Sequence, residues 1–118
     1  MKKYLLLIFL FQVAHEYSIA QTDTAFWFAA PNVDIANYPA NGPYDRPIYL
    51  RLTSFTTSAN VTVSIPANTA FTPVNLTIPA NSTSTIDLTP WIDLIENFES
   101  GIINNKGIYI QSTADITA

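Results

Sequence analysis

Residues 60–66 read Asn60-Val61-Thr62-Val63-Ser64-Ile65-Pro66, with Val61, Val63 and Ile65 on one side of an alternation and Thr62 and Ser64 on the other. Successive side chains of an extended strand project to opposite faces, so a period of two predicts a strand with one face in a core and one in water. Proline lacks the N–H that a ladder needs, and it closes this strand at Pro66. The same period extends in both directions. Upstream, Pro47 to Phe55 sets Ile48, Leu50 and Leu52 against Tyr49, Arg51 and Thr53. Downstream, Val74, Leu76 and Ile78 alternate with Asn75 and Thr77, Ile86 and Leu88 with Thr85 and Asp87, and Ile108 and Ile110 with Tyr109 and Gln111. Strands rich in Val, Ile and Thr, each with one apolar face, need a second layer to cover that face. The expected fold class is therefore all-β: an antiparallel β-sandwich, immunoglobulin-like or jelly-roll-like, with one short helix.

The punctuation agrees with that reading. Ile65-Pro66-Ala67-Asn68-Thr69 is echoed by Ile78-Pro79-Ala80-Asn81-Ser82, and Asn beside Ser or Thr favours a turn through side-chain to backbone bonds. The helix is expected after Thr89, a capping residue, with Pro90 in the first helical position and Gly101 beyond its end. Trp91, Leu94, Ile95 and Phe98 would share its buried face, and Asp93, Glu96 and Glu99 its wet one. It would lie over an open end of the sandwich. Ala25 to Ala30 is a nearly continuous apolar run, read as a strand whose Phe26, Trp27 and Phe28 fill the core. Between it and the first alternating strand lies a loop from Pro31 to Arg46, long enough that a functional role has to be considered.

The chain begins Met1-Lys2-Lys3, continues through the apolar run Tyr4 to Phe11, and reaches Ser18-Ile19-Ala20 before Gln21. A charged start, a short apolar run and small residues at a cleavage position are the pattern of a secretory signal peptide. Residues 1–20 are expected to be removed, leaving a mature domain of residues 21–118, secreted or held at the cell surface. The apolar run is about half of the ~20 residues that a membrane-spanning helix needs, so no span is expected after cleavage. With no cysteine in the chain, a lipid-modified cysteine anchor is excluded.

Beyond residue 20 the chain also lacks histidine, since the single His is His15. Serine and cysteine nucleophiles normally need a neighbouring base, usually His, and hydrolytic zinc sites need His or Cys ligands. The sequence therefore reads as non-enzymatic. Carboxylate pairs such as Asp87 with Asp93, or Glu96 with Glu99, are the remaining acid–base option, and they are better explained as the wet face of the helix. Beyond residue 20, Arg46, Arg51 and Lys106 face eight acidic residues, which leaves no cationic cluster for phosphate and argues against nucleic acid as a partner.

Two binding arrangements are legible. Calcium takes several oxygen ligands, and the long loop offers Asn32, Asp34, Asn37, Asn41 and Asp45, with Asp23 nearby; Asp34 and Asp45 are the weak metal candidates, although turn formation explains the same residues. The outward residues Tyr49, Arg51, Tyr109 and Gln111 would give one sheet two flat rings and a guanidinium, a face suited to a glycan or protein partner. Sequons Asn-X-Ser/Thr occur at Asn60, Asn75 and Asn81, which matter only in a host that glycosylates asparagine.

Four segments carry a resemblance: Phe26-Trp27-Phe28-Ala29-Ala30-Pro31, Arg46-Pro47-Ile48-Tyr49-Leu50-Arg51-Leu52, the stretch Leu76 to Trp91, and Lys106-Gly107-Ile108-Tyr109-Ile110-Gln111-Ser112. Together they resemble the IgGFc-binding protein N-terminal domain family, as found at the N-terminus of large secreted surface proteins of gliding bacteria. The resemblance implies a β-rich extracellular module of an adhesin-like protein that contacts protein or glycan, and it carries over no catalytic residue. It also implies further strands after Asp115-Ile116-Thr117-Ala118, so the sandwich is expected to be truncated at its C-terminus. A carbohydrate-binding module using Tyr49, Tyr109 or Trp27 is the first alternative, and a purely structural spacer or cap domain the second.

Overall fold

The computed structural model describes residues 21–31, 47–97 and 101–118. The expected signal peptide and the calcium candidates Asn32, Asp34, Asn37, Asn41 and Asp45 lie outside the described residues. The strands are β1 (Asp23–Phe28), β2 (Ala30–Pro31), β3 (Tyr49–Ser54), β4 (Ala59–Ser64), β5 (Val74–Ile78), β6 (Thr83–Asp87), β7 (Glu96–Asn97) and β8 (Ile108–Thr117). The fold is all-β, as the alternation predicts. Its main sheet is antiparallel in the order β5-β4-β8-β3-β6, with β1 on the remaining side of β8.

This order hides a folded architecture. Strand β8 pairs through Tyr109–Ser112 with β4, and through Ile116 and Thr117 with β3. Strands β3 and β4 therefore follow one another along the same side of β8. In the same way, β5 pairs with β4 while its continuation β6 pairs with β3. The result is a set of long strands, each interrupted midway, whose first halves and second halves form two layers. The interruptions fall in line across the sheet: residues 55–58 between β3 and β4, residues 79–82 between β5 and β6, and Ser112–Asp115 within β8. Opposite the last, β1 loses register between Asp23 and Ala25. Bulges and broken pairing let a sheet turn a corner and pack on itself.

Polar groups released along this corner are recaptured locally, as buried or half-buried backbone requires. Ser54 donates its backbone N–H to Ser82 O at 2.9 Å and its hydroxyl to Pro79 O. Asn81 N–H donates to Phe55 O, and Ser58 Oγ to Ile78 O at 3.0 Å. Asn60 N–H donates to Thr113 Oγ1 at 2.9 Å, while Ser112 Oγ donates to Ala114 O at 2.7 Å within the β8 bend. Asn81 has φ of 56°, the left-handed region that its short amide tolerates better than most side chains. The second of the two Pro-Ala-Asn echoes is thus a corner of the sandwich.

Between the layers lies one apolar cluster, with Val61, Val63 and Ile78 from the first, Leu52 and Ile86 from the second, and Ile108, Ile110 and Ile116 from β8, which serves both. The end opposite the corner is closed by the segment after β6. The sequence predicts a helix reaching Phe98, but the structure has a 3-10 turn, Thr89–Trp91, followed by a single helical turn, α1 (Ile92–Ile95). Glu96 and Asn97 leave the helix to pair in parallel with Ala30 and Pro31. Thr89 makes no capping bond; its hydroxyl oxygen accepts the N–H of Ile48 at 3.1 Å. Trp91 meets Phe71, which follows β4, edge to face at 5.4 Å, so this plug ties the open ends of both layers. Glu96, expected on a wet face, is 6% exposed, because strand pairing with β2 draws it inward. Lys106 Nζ donates to the carbonyls of Asp93 and Glu96, both at 2.9 Å, where the turn leaves acceptors unsatisfied.

Candidate functional site

Of the aromatics of β1 only Phe26 is buried, contrary to the expectation that all of them enter the core. Phe26 is buried at 8% exposure, whereas Trp27 between its neighbours is 64% exposed. The cause is register: Trp27 pairs with Tyr109 and Phe26 with Ile110, so Trp27 shares the outer face with Tyr109. The period of two was masked in the sequence because every residue from Phe26 to Phe28 is aromatic.

On that outer face the Trp27 and Tyr109 rings lie 4.6 Å apart with their planes tilted by 31°. The indole also rests over Gly107, where a side chain's Cβ would stand 3.6 Å from the ring carbons Cε3 and Cζ3. A directly opposed aromatic pair across an antiparallel ladder contributes about 0.2–1 kcal/mol and fixes both rings before any ligand arrives. Next to the rings runs a polar row, Gln111 beside Thr62, and Thr62 beside Asn75. Thr62 Oγ1 donates to Asn75 Oδ1 at 2.7 Å, and Thr77 Oγ1 to Asn60 Oδ1 at 2.7 Å. Two of the sequons thereby gain a structural meaning. Each places Asn and Thr two residues apart on one face, and antiparallel pairing sets the Asn of one strand against the Thr of the other.

The proposed ligand face of Tyr49, Arg51, Tyr109 and Gln111 is not assembled as one surface. Tyr109 and Gln111 lie together on the outer face of the first layer, beside Trp27 and Ala25. Tyr49 and Arg51 lie on β3 in the second layer, opposite Asp87 and Thr85. The sheet corner separates the two pairs, and alternation within a single strand carries no information about such a fold. Tyr49 is nevertheless 59% exposed.

Two carboxylates, Asp87 and Asp23, serve local structure. Asp87 Oδ1 accepts the N–H of Thr89 at 2.9 Å, and the Thr89 hydroxyl and backbone N–H together hold the Asp87 carboxyl below the usual aspartate range. Asp23 Oδ1 likewise accepts Thr24 N–H at 2.6 Å, where β1 changes register. Among the described residues no group of His, Cys, Asp and Glu is arranged to hold a metal ion.

A second feature, which no sequence pattern signals, is an apolar groove of about 420 Å³. One wall is the end of β1 and the residues after it, Phe28 to Pro31, and the other is Ile48 to Arg51 at the start of β3. Ile108 and Leu88 lie deeper, and Ala118 stands at one end. Leu50 and Ile48 face inward and are half-exposed.

Compared with protein-family models, curated proteins and solved structures, the chain matches none of them. The functional reading rests on the residues and their placement.

Proposed function

We propose that the chain is a non-enzymatic, extracellular β-sandwich module of an adhesin-like cell-surface or secreted protein, and that it acts through contacts with protein or glycan. The observation that carries this reading is the exposed Trp27, whose ring lies against the half-buried Tyr109 on an outer sheet face beside a polar row. Large aromatics left in water on one side of a well-packed domain mark contact surfaces, because they combine apolar area with little entropy to lose. The leader-like first twenty residues and the lack of His or Cys after them support an exported protein without nucleophilic chemistry. The resemblance to the IgGFc-binding protein N-terminal domain of surface proteins from gliding bacteria points the same way.

Within that reading a carbohydrate ligand is favoured by the geometry of the site: two tilted rings for the apolar face of a sugar, with the amides and hydroxyls of Gln111, Thr62 and Asn75 alongside for its edges. A glycan array probed with the exported protein and with Trp27→Ala tests it. Binding by the parent that falls at least about tenfold in the variant, with unchanged circular dichroism, is the expected result, since the indole is exposed and its loss leaves the core intact. Binding equal in the two proteins would remove the aromatic pair as the site. Hydrolytic activity that disappears on substituting Asp or Glu would overturn the non-enzymatic reading altogether.

A further inference from the structure

Four strands of the first layer lie side by side in the order β1, β8, β4 and β5. Among the described residues, the side chains they turn outward before the corner are rings, amides, hydroxyls and Ala25, and none is charged. The outer face of the second layer differs, because Arg51 and Asp87 lie on it. On the uncharged face the Trp27–Tyr109 pair spans the gap between β1 and β8. The Thr62–Asn75 pair spans the gap between β4 and β5, two residues further along the strands. Two inter-strand spacings of ~4.8 Å and a step of two residues at ~3.4 Å each place the pairs about 12 Å apart. Gln111, opposite Thr62, bridges the gap between them. A pyranose ring is about as wide as one inter-strand gap, so no single sugar reaches both pairs.

The polar pairs are preset in polarity as well as position. Thr62 Oγ1 gives its only proton to Asn75 Oδ1 at 2.7 Å, and Thr77 Oγ1 gives its own to Asn60 Oδ1 at 2.7 Å. Each amide keeps its Nδ2 protons for a ligand, and each hydroxyl keeps lone pairs. A donor and an acceptor therefore stand side by side, the complement of two neighbouring sugar hydroxyls of which one accepts and the other donates.

Resting on the carbohydrate reading, we infer that this face binds an uncharged, ribbon-shaped glycan across its strands, one sugar to each of three gaps. The first sugar stacks on Trp27 and Tyr109, the second lies beside Gln111, and the third meets Thr62 and Asn75. Charge excludes acidic glycans: a carboxylate or sulfate brought against this face would lose water and find no cation, and the acidic excess of the chain repels it from a distance. Shape selects the linkage. An equatorially linked chain is a ribbon whose successive rings can meet a sheet face together, whereas a coiled chain brings one ring to it at a time.

The test titrates the purified chain, made in a host that does not glycosylate asparagine, with β-1,4-linked oligosaccharides of glucose, mannose and N-acetylglucosamine from one to six sugars long. A mannuronate series, which differs from the mannose series only by its carboxylates, is the charged counterpart. Tryptophan fluorescence and the indole N–H resonance of Trp27 report binding. At least one neutral series is expected to bind, its Kd falling at least about tenfold from the single sugar to the trisaccharide and less than about fivefold from there to the hexasaccharide. Mannuronates should bind at least about tenfold more weakly than the best neutral series. Asn75→Ala is expected to weaken the trisaccharide while leaving the disaccharide unchanged, and Thr62→Val, which suits a strand, is the second variant for the same position. Affinity independent of length, or mannuronates bound as tightly as neutral sugars, would overturn the inference, and a loss on Trp27→Ala would still uphold the carbohydrate reading. Binding by none of the series, or binding untouched by Trp27→Ala, would overturn both.

Discussion

Asp87 illustrates how much a single side chain contributes when its partners are local. Its carboxylate accepts the Thr89 N–H at 2.9 Å, and the Thr89 hydroxyl adds to the preference for the ionised form. The folded chain therefore holds this proton less tightly than the unfolded chain does. The stabilisation is complete above the unfolded-state pKa, in the ordinary aspartate range, and is lost as pH falls through the lower folded value. Stability measured by denaturant is expected to decline on acidification through this window in the parent chain, and less steeply in Asp87→Asn. Identical slopes would mean that Asp87 does not titrate at a lowered value. Trp27 makes a complementary point: its exposure follows from which residue of β8 it opposes, and its identity alone suggested the core.

Strand β8 and the line of interruptions across the sheet are what make two layers from a few long strands. The corner needs a residue that accepts the left-handed backbone, and Asn81 supplies it at φ 56° while donating its N–H to Phe55 O. Asn81→Gly is expected to leave stability within a few tenths of a kcal/mol of the parent, whereas Asn81→Val should cost about 1–3 kcal/mol by forcing a β-branched residue into that region. Urea midpoints of the two variants check this, and equal midpoints would show that backbone strain at the corner is not limiting. The Pro-Ala-Asn echo was legible in the sequence as turn chemistry. That the second copy turns a sheet corner was not, because this depends on Phe55 and Ser54 arriving from a distant strand upstream.

The described residues share one apolar cluster to which both layers and the Trp91 plug contribute. No layer has a core of its own, so unfolding is expected to be a single cooperative transition. Far-ultraviolet circular dichroism and tryptophan fluorescence should give coincident melting curves, with Ile110→Val, at a fully buried site, lowering stability by about 0.5–1.5 kcal/mol without splitting the transition. Separate transitions would mean that the corner divides the domain into independent units. The sequence by itself determined the all-β class, the positions of the alternating strands and the inward set of each, since these follow from the two-residue period of an extended chain and from Pro and Asn as local breakers. It overextended the helix, because Glu96 and Asn97 are claimed by pairing with Ala30 and Pro31, a contact between distant segments. Only the tertiary structure decided which outward residues share a face, separating Tyr49 and Arg51 from Tyr109 and Gln111 and joining Trp27 to the latter. It alone opened the groove beside β3. Alternation fixes the two sides of a strand, while neighbours and corners depend on long-range register, for which a single strand holds no signal.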